Sequence, residues 1–139
     1  MRIVVIGGSG HIGTFLVPRL VRAGHAVTVI SRGSRSAYTP SPEWQQVQLV
    51  QADRAQEDAA GTFGDRVAGL NPDVVVDLVC FTLESATALV ERLRGETRLR
   101  VLRSQYGHDA FLKETAAIDR VLREALPAPV VAAGCGVAA

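Results

Sequence analysis

The chain has 139 residues, 47% of them hydrophobic, and its 15 basic and 14 acidic side chains leave a formal charge of +1. That length suits one domain with a real core, and the balanced, dispersed charge offers no electrostatic footprint for nucleic acid or an anionic membrane. No apolar run approaches the roughly 20 residues of a membrane span.

The first apolar run, Ile3-Val4-Val5-Ile6, is continuous rather than alternating, the pattern of a strand covered on both faces. It meets glycines too soon to serve as a secretion leader. A helix is expected over residues 11–23, with Ile12, Phe15, Leu16, Leu20 and Ala23 on one stripe, Pro18 inside it and Gly24 as its stop. Residues 26–30 form the second strand, and the Ser-, Pro- and Arg-rich stretch 31–43 reads as a surface loop. A third strand follows over 47–51. A polar helix over 55–70 ends before Asn71-Pro72, a breaker because the residue before proline avoids the helical region. The fourth strand covers 74–79 and the next helix 83–93, closed by Gly95. Residues 99–102 suggest a fifth strand, 109–126 a helix and 130–133 a sixth strand. The two cysteines, Cys80 and Cys135, lie far apart in apolar stretches. They read as free buried thiols in a reducing cytoplasm, and no metal site is expected.

Strands alternating with helices specify an α/β fold with a parallel, doubly wound sheet. Right-handed crossovers give six strands the order 3-2-1-4-5-6, a Rossmann sheet, with no residues left for a separate substrate domain. Gly7, Gly10 and Gly13 follow the first strand and open the first helix. Gly7 allows a sharp turn, Gly10 lets a ligand approach the backbone, and Gly13 lets the helix pack closely. Peptide N–H groups at a helix start attract phosphate, and Ser9, His11 and Ile12 add backbone donors. The expected ligand is the diphosphate of a nicotinamide dinucleotide, NAD or NADP. At the end of the second strand an acidic residue would accept the ribose hydroxyls of NAD. The chain has Ser31-Arg32 there, and Arg32 suits the 2′-phosphate of NADP. NADP is therefore the expected cofactor, with NAD as the alternative. Val79, ending the fourth strand, is expected along the adenosine side.

The spacing Gly-x-x-Gly-x-x-Gly, the segment closing in Val27-Thr28-Val29-Ile30-Ser31-Arg32-Gly33, and Pro72-Asp73-Val74-Val75-Val76-Asp77 together resemble the extended and atypical short-chain dehydrogenase/reductases, in particular the NAD-dependent epimerase/dehydratase family. The resemblance covers about the first hundred residues. It implies that Asp53 contacts adenine, with a solvated loop carboxylate nearly as good a reading. It also implies a Ser or Thr after the fifth strand and a Tyr-x-x-x-Lys pair, in which the tyrosine exchanges a proton and the lysine lowers its pKa. Ser104, Tyr106 and Lys113 are the candidates. Tyr106 follows Ser104 too closely for the family pattern, and Ala110 stands where the lysine belongs. A solvated Tyr and Lys is the plainer reading. Three functions stay open: a hydride-transferring oxidoreductase or sugar-nucleotide epimerase/dehydratase relative with an unknown small-molecule substrate, a cofactor-binding module or redox sensor without turnover, and a fragment of a larger enzyme. Uncovered apolar surface on the later helices would suit a homo-oligomer.

Overall fold

The β-branched run at the N-terminus becomes the inner strand of a parallel sheet. In the computed structural model, which describes residues 1–34 and 36–93 and the single positions Ala116, Arg120 and Glu124, β1 (Arg2–Ile6) pairs on one side with β2 (Ala26–Ser31) and on the other with β4 (Val74–Asp77). β3 (Gln48–Gln51) pairs with β2, giving the order β3-β2-β1-β4. Val5 stands in register with Val29 and with Val76, and Val29 with Leu49. The expected order is thus present for its first four strands; the fifth and sixth lie outside the described residues.

Both faces of β1 are covered, which is why its sequence does not alternate. Ile3 and Val5 pack with Val27, Val29 and Val17, the last carried by α1 (Gly13–Arg22). Val4 and Ile6 pack on the opposite face with Ile30, Phe63, Val67 and Leu89. Each such side chain, fully removed from water, stabilises the fold by about 1.5–3 kcal/mol. The two layers of helix place every crossover above or below the sheet. The loops at the C-terminal ends of the strands are thereby left to form a rim.

The helix expected over 55–70 is two helices, α2 (Arg54–Ala59) and α3 (Phe63–Gly69). Gly61 takes φ +70°, its N–H donates to the Asp58 carbonyl, and Thr62 N–H donates to the Glu57 carbonyl. This left-handed glycine cap closes α2, and the new direction lets Phe63 and Val67 enter the core. The same cap ends α1, where Gly24 (φ +81°) and His25 donate to Val21 and Leu20. Asn71 closes α3 with φ +50° ahead of Pro72. The loop expected over 31–43 gives way to a short 3-10 helix, Pro42–Gln46. It is held to α1 by the Arg22–Glu43 ion pair at 3.0 Å, and Trp44 packs against the α1-side core. α4 (Leu83–Arg92) is capped by Thr82, whose hydroxyl accepts the Ser85 N–H at 3.2 Å.

Asp73 ties the entrance of β4 to the start of β1. It accepts Arg2 N–H at 2.7 Å and the Arg2 guanidinium at 2.9 Å. These hydrogen bonds, side chain first, lower its pKa from 3.8 to about 2. A depressed carboxylate stabilises the fold above its unfolded pKa and loses that contribution as pH falls through the folded value. The clasp should therefore weaken between about pH 4 and pH 2. In acid unfolding followed by circular dichroism, Asp73→Asn is expected to flatten the stability loss across that interval; an unchanged acid limb refutes the clasp.

The chain divides into two units, Met1–Arg98 and Leu99–Ala139. In the second, positions 116, 120 and 124 are helical and exposed. Ser104, Tyr106 and Lys113 lie outside the described residues.

Candidate functional site

The turn between β1 and α1 is built by its own hydrogen bonds. Gly7 turns out of the strand at φ +77° while its N–H donates to the Ile30 carbonyl at 2.8 Å. Gly10 N–H donates to the Gly7 carbonyl at 3.0 Å, and Thr14 N–H to the Gly10 carbonyl at 2.9 Å. Among the described residues, the amides of Gly8, Ser9, His11, Ile12 and Gly13 find no acceptor. Ile12 caps α1 without any side-chain hydrogen bond. This is a helix N-terminus with its donors uncommitted.

The glycines divide by task. A β-carbon on Gly7 would stand 2.6 Å from Val79 Cγ1, and one on Gly13 would stand 2.1 Å from the Gly8 carbonyl oxygen. Gly13 thus lets the helix start against the turn's own backbone. Gly8, whose β-carbon would lie 2.8 Å from Val29 Cγ2, serves the same close packing and was not singled out by the motif. Gly10 differs. Its β-carbon would meet only the Gly7 carbonyl, at 3.1 Å, so the protein's own packing gives a weak reason for glycine there.

The turn opens onto a cleft of about 720 Å³ at the C-terminal ends of the strands. Gly7, Ser9, Gly10, Arg32, Asp53 and Val79 all line it, so the structure brings together six of the nine expected cofactor contacts. His11, Ile12 and Gly13 belong to the same turn but do not line the cleft. The His11 ring instead meets Phe15 and Tyr38 edge-on, at 6.2 and 5.9 Å between centroids. Arg32 is exposed, and its guanidinium has no carboxylate partner among the described residues. Its carbonyl accepts from Gln51 Nε2 at 3.1 Å, which pins the turn after β2 to the end of β3. Asp53 caps α2, accepting Gln56 N–H at 3.2 Å, and is half-buried at the rim.

Arg54, also in the lining, was not foreseen. Its guanidinium ion-pairs with Asp77 at the end of β4, bonds Asp58 and the Ser85 hydroxyl at 3.1 Å each, and lies 5.1 Å from the Phe63 ring centre. Burial opposes the charge, but hydrogen bonding and attraction to Asp77, aided by Asp58, outweigh it and raise the Arg54 pKa. Only the i,i+4 pairing with Asp58 is local; Asp77, Ser85 and Phe63 come from three other elements.

A parallel α/β sheet with free amides at the first strand-helix turn, beside a cleft across the strand ends, defines a dinucleotide-binding fold. The chain belongs to the NAD dependent epimerase/dehydratase family, whose model matches residues 3–113. A nicotinamide dinucleotide is accordingly its cofactor class. Over 104 residues it is 35% identical to the 2'-dehydrokanamycin reductase of Streptomyces kanamyceticus, a match covering 75% of this chain and 28% of that protein. A 44-residue stretch is 54% identical to a homoserine O-succinyltransferase of Xanthomonas campestris, covering 32% of this chain and 12% of that one. A crystal structure from Burkholderia cenocepacia J2315 shares the fold with a TM-score of 0.52 at 24% identity, over 70% of this chain and 34% of its own. The chain therefore spans about a third or less of the length of these relatives. Among the described residues no helix is long and apolar enough to cross a membrane.

Proposed function

We propose that the cleft binds NADP, with the diphosphate on the amides of the glycine turn and the 2′-phosphate on Arg32, in the service of an oxidoreductase reaction. The observation that carries the reading is that one cleft is lined both by the glycine turn, through Gly7, Ser9 with its uncommitted amide, and Gly10, and by Arg32, whose guanidinium has no carboxylate partner among the described residues. The lining suits the group: Gly10 keeps the backbone accessible where a side chain would intrude, and Asp53 and Val79, which also line the cleft, are assigned to its adenosine side. When bound, the nicotinamide supplies hydride transfer. Ser104, Tyr106 and Lys113 are proposed to hold the substrate and move its proton, with Tyr106 as acid/base. The relative from Streptomyces kanamyceticus, a reductase, supports the reaction class.

Titration calorimetry with NADP and NAD tests the binding. Arg32→Ala is expected to weaken NADP by about tenfold or more, the scale of a lost charge-assisted contact, and NAD by no more than about twofold, since its ribose carries no phosphate there. Equal losses for both remove the 2′-phosphate assignment. NADPH oxidation with simple carbonyl compounds separates turnover from binding alone, and activity that survives Tyr106→Phe removes the tyrosine role.

A further inference from the structure

The polar cluster under the cleft joins the start of α2, the end of β4 and the start of α4. Arg54 is its centre, with 11% of its side chain exposed, against 16% for Asp77 and 24% for Asp58. Two carboxylates more than neutralise its single charge, so Arg54 has little attraction left to offer a phosphate. Its structural reach is longer. Asp77 binds Arg54 through Oδ2 and accepts Val79 N–H through Oδ1 at 3.1 Å. Val79 in turn lies against Gly7, where a β-carbon would come within 2.6 Å of its Cγ1. A continuous path of contacts thus runs from Arg54 through Asp77 and Val79 to the first residue of the glycine turn.

We propose that Arg54 is a positioning residue for dinucleotide binding, holding Asp77 so that Val79 braces Gly7 and keeps the glycine turn seated where it lines the cleft. This rests on the dinucleotide reading of the cleft. Because the brace acts on the turn and not on the ribose, it serves NAD and NADP alike, in contrast to Arg32. Lysine replaces it only in part: a compact ammonium lacks the planar fork that reaches Asp77, Asp58 and Ser85 together.

The test measures Kd for NADP and NAD by calorimetry and Tm by circular dichroism for Arg54→Met, Arg54→Lys, Val79→Ala and the double variants. Arg54→Met is expected to weaken both cofactors by about tenfold and by the same factor, with Arg54→Lys restoring only part of the loss. In the Val79→Ala background, where the brace is already slack, the same substitutions should weaken binding by no more than about threefold, the non-additivity of residues acting through one path. A purely structural arginine would lower Tm and give additive losses in binding. Additive losses, unchanged affinity in folded Arg54 variants, or a loss confined to NADP each overturn the proposal. Should Arg54→Met fail to fold, Arg54→Lys alone carries the cycle with the same outcomes. A wild-type protein that binds neither dinucleotide overturns the reading of the cleft itself, a result distinct from any variant outcome.

Discussion

Gly13→Ala lowers stability by about 3 kcal/mol or more, a drop in Tm of roughly 10 °C or more for a chain of this size. The added β-carbon would sit 2.1 Å from the Gly8 carbonyl oxygen, 2.4 Å from its carbon and 2.5 Å from its Cα. All three are backbone atoms, so no rotamer change relieves the collision. Gly8 has little room to retreat, because on its other side even a β-carbon would stand 2.8 Å from Val29 Cγ2 and 3.2 Å from Val5 Cγ1. The helix start must therefore lift away from the turn, and Val17, fully buried against Ile3 and Val5, loses part of its packing. Thermal unfolding followed by circular dichroism reads the effect. A variant as stable as the wild type would show that α1 does not start against Gly8.

Gly10→Val gives the complementary result, a folded protein that no longer binds dinucleotide. Gly10 does not need a positive φ, and its β-carbon would press only on the Gly7 carbonyl at 3.1 Å, a contact relieved by a shift of a few tenths of an ångström. The expected loss of stability is about 1 kcal/mol. Toward the cleft the branched side chain covers the space where the diphosphate meets the amides, and affinity for NADP and NAD should fall by about hundredfold or more, ~2.7 kcal/mol. Calorimetry with both cofactors, beside Tm, separates the two consequences. Retained affinity would falsify the placement of the diphosphate on this turn.

How far these features could be read without coordinates depended on whether their cause was local. The unbroken run Ile3 to Ile6 announced a strand covered on both faces, and its neighbours confirm it through Val17 on one side and Phe63 on the other. Gly24 and Asn71-Pro72 marked helix ends because a left-handed residue and a missing N–H act where they stand. Gly61 carried the same signal as Gly24, yet the apolar spacing of Phe63, Val67 and Leu70 masked it, and one helix was expected where two form. The 3-10 helix at Pro42 lay hidden in a polar stretch because its anchor, Trp44 on the α1-side core, is tertiary. In the cleft lining, Gly7, Ser9, Gly10, Arg32 and Val79 were legible from their positions at strand ends, and Asp53 from the family resemblance. Arg54 was not, since Asp77 and Ser85 are 23 and 31 residues away.

The hydrogen bond from Gln51 to the Arg32 carbonyl, and the close seat of Gly33 (φ +74°) on the Gln51 side chain, have a bearing on how such a protein diverges. Arg32, proposed to meet the ribose phosphate, follows β2 and is tied to the edge strand β3, which leaves Leu49 two-thirds exposed, whereas the turn proposed to hold the diphosphate springs from the most deeply enclosed strand. On the proposed reading, exchanges beside that edge retune which coenzyme is accepted while the central valines stay untouched. Selectivity and foldability are thereby decoupled along one short stretch of chain.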